Sequence, residues 1–203
     1  MHSNDLIERA FPGRRGELKR SILRQALACF NETGIEATNI ETIRAKCETS
    51  VGAIYHHFGN KEGIVATLFF TALEDQGALR DSYLQKAQTA QEGVVALVHS
   101  YVEWVDEHPD MARFVFQSRF AVSSGPFQQQ LLSRNKQRNK QLLEWINVEG
   151  RKEYFRHIPA ELLPSLIIGA AENYSRAWLS GRVSKSPREY KDLLAEAACR
   201  AII

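Results

Sequence analysis

Apolar residues recur along the chain at spacings of three and four and nowhere alternate strictly, a pattern that predicts helices and no strand. Leu18, Ile22, Ala26, Leu27 and Phe30 share one face of a helix that Gly34 ends. Thr38-Asn39-Ile40-Glu41 opens a second, with Thr38 as cap and Glu41 reaching back to it, and Ile40, Ile43 and Cys47 as its inner side. A short third carries Ile54, Tyr55 and Phe58 and closes at Gly59; Asn60 then caps a long helix from Lys61 to about Gln85. Val94 to Val105 marks a helix ending before Pro109, Phe114 to Phe120 an aromatic one broken by Gly125-Pro126, and Phe127 to about Gly150 another. A wide stripe from Leu163 to Trp178 stops at Gly181, with Pro164 in its first turn. Ser186-Pro187-Arg188-Glu189 combines a cap, a first-position proline and a capping glutamate ahead of Tyr190, Leu193, Leu194, Ala197, Ala198 and Ala201. The spacing therefore predicts an all-α chain of about nine helices.

Composition narrows the class. Apolar residues make up 44% and charged residues 25% of 203, the proportions of a globular protein with a real core. The longest uncharged apolar stretch, Gly63 to Leu73, is shorter than the roughly 18 residues a membrane span needs. Asp5 and Glu8 interrupt any apolar leader, and three widely spaced cysteines (Cys29, Cys47, Cys199) make a poor disulfide framework. The expectation is a soluble, cytoplasmic protein without a membrane partner. A net charge of +2 neither demands nor excludes nucleic acid, so that question rests on local pattern.

The informative segment runs from Gly34 to Glu62. Two short amphipathic helices separated by Glu48-Thr49 meet the requirement for a helix-turn-helix. The second begins with Ser50, Val51, Gly52 and Ala53, small enough to let its backbone approach the floor of a major groove. Tyr55 and His56 follow at the distance of the sugar-phosphate backbone; taken singly, Tyr55 and Phe58 read as core. In Gly34, Ala37-Thr38, Ile43, Ser50, Gly52, Tyr55, Phe58, Lys61 and Glu62, at these spacings, the chain resembles the TetR family of transcriptional regulators, over about Leu18 to Leu68. Beyond that stretch the helical layout and the length agree, as does the run Arg156 to Leu162 before an apolar helix.

The resemblance implies a helix-turn-helix DNA-binding domain at 1–60 and an effector-binding and dimerisation domain at 61–203. Thr38 would then contact phosphate, Ser50, Val51, Gly52 and Ala53 would enter the major groove, and Tyr55, His56 and Lys61 would lie on the backbone. Arg44 would be a phosphate or scaffold contact, and Arg14, Arg15, Lys19 and Arg20 would draw the N-terminal arm to DNA. Glu48 departs from the glycine usual in the turn, which raises the questions of charge repulsion and of a positive φ there.

Nothing supports catalysis, a cofactor or a metal. His56 and His57 are adjacent and diverge on a helix; His99, His108 and His157 lack ligand partners at metal-site spacing. Cys29 and Cys47 fall on apolar faces as core residues. Tyr101, Trp104, Phe114, Phe120, Trp145, Tyr174 and Trp178 are the candidate lining of an apolar effector site, with core packing as the alternative for each. Arg134, Lys136, Arg138 and Lys140 read as a solvated face. Gly169, Ala170, Ala171, Ala195, Ala197, Ala198 and Ala201 allow the last two helices to pair with a second copy. The reading is a homodimeric repressor that binds a palindromic double-stranded operator and is released by a small hydrophobic effector. The alternatives are a helical small-molecule-binding protein without DNA binding, and a helical enzyme. In the regulator, the helix from Lys61 would couple the two sites: Ile64, Val65, Leu68 and Phe69 face the helix-turn-helix, and Leu73, Leu79, Tyr83 and Leu84 face the helix of Tyr101 and Trp104.

Overall fold

The computed structural model describes residues 3–202, with side chains from Leu6 onward. Among the described residues there are eleven α-helices, two 3-10 turns and no strand. The helices are α1 (Ser3–Ala10), α2 (Glu17–Thr33), α3 (Ile40–Ala45), α4 (Val51–Phe58), α5 (Lys61–Leu84) and α6 (Ala90–Glu107), then α7 (Pro109–Ser124), α8 (Gln128–Ile146), α9 (Lys152–Phe155), α10 (Leu163–Leu179) and α11 (Lys191–Ile202). The count exceeds the nine expected because two elements carry no periodic signal. In α1, Leu6 and Ile7 are fully buried but adjacent, and two neighbours define no period. Helix α9 is a single turn with one buried residue, Phe155.

The chain forms two compact units. One comprises residues up to Asp75 together with His108–Leu132; the other comprises Gln76–Glu107 together with Ser133 onward. The division follows packing rather than chain order. Helix α7 packs on α2 and α1, where Phe114 stacks on Phe30 with ring centroids 5.6 Å apart. Asn31 on α2 also donates to the Asp110 carbonyl at 2.9 Å. The first core is built from Ile22, Leu23, Ala26 and Phe30 of α2, joined by Ile43, Ile54, Ile64, Leu68 and Met111, all essentially without exposure. Leu18, on the same helical stripe in the sequence, is instead 36% exposed. Helices α5 and α8 each run unbroken across the division.

In the second unit α10 and α11 pack on α6. Val94, Leu97, Val98 and Val102 of α6 meet Ile167 and Ala171 of α10 and Ala195 and Ala198 of α11. Gly93 is required by close approach, since a Cβ there would overlap the Trp145 indole. The start of the last helix is a 3-10 turn at Pro187–Tyr190, capped by Ser186 Oγ, which accepts from the Arg188 N–H at 3.1 Å and donates to Asp106. Glu189 does not complete a capping box; it pairs with Lys185 at 3.4 Å. No helix among the described residues is long and apolar enough to cross a membrane.

The cap of α3 lies one residue later than the sequence suggests. Asn39 Oδ1 accepts from the Thr42 N–H at 2.8 Å and from its hydroxyl at 3.0 Å. Thr38 is 1% exposed; its hydroxyl donates to the Gly34 carbonyl at 2.7 Å and shares a hydrogen bond with Thr33 Oγ1. Glu41 is taken by Arg44. Asn39→Ala should therefore cost about 1 kcal/mol of stability in urea unfolding, the usual value of an N-cap. An unchanged midpoint and slope would show that the cap contributes nothing.

Candidate nucleic-acid interface

Helix α3 packs on α2, and α4 on α3, so the two short helices are held by their buried Ile43, Ile54 and Phe58. Between them the Thr49 N–H donates to the Cys47 carbonyl at 2.8 Å. A hydrogen bond spanning one residue is a γ-turn, here centred on Glu48. No non-glycine residue among those described has a positive φ. The left-handed backbone considered for Glu48 is thus avoided: an inverse γ-turn at negative φ reverses the chain as a glycine turn would, and Glu48 stands exposed.

Ser50 begins α4 in the β region, and its Oγ accepts from the Ala53 N–H at 3.1 Å. One face of α4 turns inward with Ile54 and Phe58. On the other, Gly52, Tyr55 and His56 are exposed and Val51 and Ala53 half-buried. Tyr55 is 50% exposed whereas Phe58 is buried, which separates two residues that read alike in the sequence. Gly59, at φ 75°, ends the helix with its N–H on the Tyr55 carbonyl at 2.8 Å. Asn60 Oδ1 then caps α5 through the Gly63 N–H at 2.8 Å. A Cβ at Gly63 would overlap the Phe58 carbonyl, so α5 starts hard against the end of α4.

Ser50, Val51, Gly52, Ala53, Tyr55 and His56 thus come together on one open helix. The other sequence candidates do not present themselves in the same way. Thr38 has almost no surface to offer a phosphate. Arg44 is partly exposed, with its Nε donating to Glu41 at 2.8 Å. Lys61 Nζ donates to the carbonyls of Ile35 at 2.9 Å and Glu36 at 3.3 Å, so its ammonium ties down the loop between α2 and α3.

The N-terminal basic cluster divides. Arg14 and Arg15 are exposed on a 3-10 turn. Lys19 lies over the Phe11 ring, and burial pushes its ammonium pKa down. Arg20 is 9% exposed and structural: its guanidinium donates to the carbonyls of Phe11 at 2.6 Å and Gly13 at 2.7 Å, and pairs with Glu8 at 3.1 Å. Arg20 could not be separated from its neighbours in the sequence because α1, which supplies Glu8, leaves no pattern there.

Among the described residues no group of three His, Cys, Asp or Glu side chains is arranged to hold a metal. Cys29, Cys47 and Cys199 are buried free thiols, and burial is the main force raising the pKa of each. His56 and His57 sit edge to face at 5.3 Å.

The candidate effector aromatics are divided between the units. Phe114 is fully buried against Phe30, and Phe120, on the same helix, is 79% exposed. In the second unit Trp104 is buried and Tyr101 and Trp178 are half-buried. The Arg151 guanidinium lies 4.2 Å from the Trp145 ring centroid. Tyr174 meets Tyr190 edge to face at 5.4 Å and donates to the Lys185 carbonyl at 3.1 Å.

Two short helices with a capped, open second member are the arrangement of a helix-turn-helix regulator. Residues 22–68, the stretch just described, match the family model of bacterial regulatory proteins of the tetR family. The HTH-type transcriptional repressor KstR2 of Mycobacterium tuberculosis is 28% identical over 143 residues, 70% of each chain. A TetR family transcription regulator from Marinobacter aquaeolei VT8 superposes with a TM-score of 0.76 at 18% identity, covering 93% of this chain and 97% of that one. The regulator FadR from Bacillus subtilis, solved in complex with stearoyl-CoA, gives 0.67 at 17% identity, over 91% of this chain and all of that one. Over residues 22–68 the chain carries the segment that the tetR family model describes, and its fold is that of TetR-family transcriptional regulators.

Proposed function

We propose that the protein represses transcription by binding a palindromic operator as a homodimer, and that a small apolar effector releases it. The observation that carries this reading is the open face of α4: small residues at its N-terminal end, with Tyr55 and His56 exposed beyond them. Residues 1–60 would form the DNA-binding domain and 61–203 the effector and dimerisation domain. Ser50, Val51, Gly52 and Ala53 face the groove, Tyr55 and His56 the backbone, and Thr38, Arg44 and Lys61 hold the geometry of the unit. Binding to a randomised duplex pool, measured against salt, tests the reading: a regulator of this kind enriches one two-fold symmetric sequence, and its affinity falls steeply with ionic strength. Failure to enrich any sequence would leave a helical ligand-binding protein in its place.

The dimer is supported by a stripe that its own unit leaves open. Ala171, Ala195 and Ala198 are buried within the unit, but Ala170, Ala197 and Ala201 are exposed and Leu193 is 64% exposed. Small residues beside a protruding leucine suit a close, self-complementary helix contact. Light scattering at micromolar concentration should report a dimer for the wild type and a monomer for Leu193→Glu. A monomeric wild type would overturn the dimer, and a dimeric variant would locate the interface elsewhere.

For the effector, the stearoyl-CoA held by the structurally similar FadR supports an apolar compound. Tyr101, Trp104, Trp145, Tyr174 and Trp178 of the second unit stay the candidate lining, whereas Phe114, buried in the first unit's core, and Phe120, exposed on it, leave the set. Helix α5 is continuous through both units, which supports it as the coupling element. An effector acts through it only by binding the released state more tightly than the DNA-bound one.

A further inference from the structure

The N-terminal end of α4, which the proposed function seats in the groove, has little with which to read bases by hydrogen bonding; Tyr55 and His56, which carry polar atoms, lie beyond it on the side assigned to the sugar-phosphate backbone. Val51 and Ala53 carry no polar side-chain atom, Gly52 has no side chain, and Ser50 Oγ, which accepts from the Ala53 N–H, offers a single hydroxyl proton. Apolar contacts recognise a thymine methyl but discriminate the remaining bases weakly. A second cationic element stands close by. Arg14 and Arg15 are exposed, and neither side chain makes a hydrogen bond or ion pair among the described residues.

The turn that carries them is built, not loose. The Gly13 carbonyl accepts from the Gly16 N–H at 3.2 Å and from the Arg20 guanidinium at 2.7 Å. Gly13 adopts φ 76°, where a side chain would be strained, and a Cβ at Gly16 would overlap the Phe11 carbonyl. The segment lies beside the C-terminal end of α4, because the Lys19 ammonium is 4.3 Å from the Phe11 ring centroid and 5.7 Å from that of Phe58.

Resting on the DNA-binding reading of α4, we propose that Arg14 and Arg15 enter the minor groove flanking the half-site and prefer an A·T-rich flank. A recognition helix seated by its N-terminal residues leaves its C-terminal end above a phosphate strand. Across that strand lies the minor groove, about 6 Å wide, which admits an extended guanidinium but not a helix. Narrow A·T tracts deepen its negative potential and so favour arginine there. Because the turn is already ordered, insertion costs little further backbone entropy. Specificity that α4 lacks would then be supplied through groove shape.

The test begins with selection from a randomised duplex pool by the full chain. Anisotropy follows, on duplexes that keep the selected core and carry A·T, G·C or inosine·C flanks; inosine·C presents an A·T-like minor groove with a G·C-like major groove. The wild type should bind the A·T and inosine·C flanks roughly tenfold more tightly than G·C. The double variant R14A/R15A, altered only at exposed positions, should bring the three within about twofold while selecting the same core. The variant R14K/R15K should keep the salt dependence yet lose most of the flank preference. An indifferent wild type, an unchanged preference in the alanine variant, or binding that favours A·T but not inosine·C would overturn the proposal. A wild type that selects no core at all would overturn the DNA reading beneath it.

Discussion

Gly52→Glu should weaken binding to the selected duplex by about a hundredfold or more, equivalent to about 3 kcal/mol, with the fold intact. The position is exposed, and a Cβ there meets only Ser50 Oγ at 3.8 Å, so the new side chain has room. Replacing a helical glycine also removes a propensity cost of up to about 1 kcal/mol, so the melting temperature should hold or rise. Against DNA the same carboxylate is displaced from water and held among phosphates, and like charges in an interface cost several kcal/mol. Anisotropy and a thermal melt on the same sample separate the two effects. Unchanged affinity would mean that this face of α4 does not meet the groove.

Phe114→Ala should destabilise the ligand-free protein by about 3–5 kcal/mol, the usual cost of emptying a fully buried phenylalanine site. Total stabilities lie near 5–15 kcal/mol, so much of the folded margin would go. The stack on Phe30, at 5.6 Å and 20° between planes, locks α7 to α2 in the first unit's core. The experiment also decides between two roles for this side chain. A core residue lowers the urea midpoint of the free protein, whereas an effector contact leaves it alone and weakens only ligand binding. An unchanged midpoint would remove Phe114 from the core and return it to the candidate lining.

Most of the helix-turn-helix was legible because its signals are local. Gly34 and Gly59 stop helices where a positive φ is needed, Asn60 caps α5, and Ile43, Ile54 and Phe58 carry the inner face. The errors arise where two solutions are equally local: Thr38 and Asn39 are both good caps, and burial of Thr38 against Thr33 decides between them. Tertiary facts left no trace. Lys61 looks like any basic residue after a recognition helix until its carbonyl partners are seen, and Arg20 looks like Arg14 and Arg15 until α1 brings Glu8 to it. The aromatic set shows the limit most clearly: Phe114 and Phe120 stand about 240° apart around one helix, and only the packing of α7 on α2 shows that the first faces inward and the second does not.

The hydrogen bond from Thr49 to Cys47 makes the corner of the helix-turn-helix independent of glycine. Any L residue can occupy position 48 without backbone strain, and its side chain stands in water. The sign and size of the charge there are therefore free to change between closely related chains while both helices stay in place. Attraction to DNA in general can thus drift separately from preference for one sequence, since the first depends on net charge near phosphate and the second on residues seated in α4.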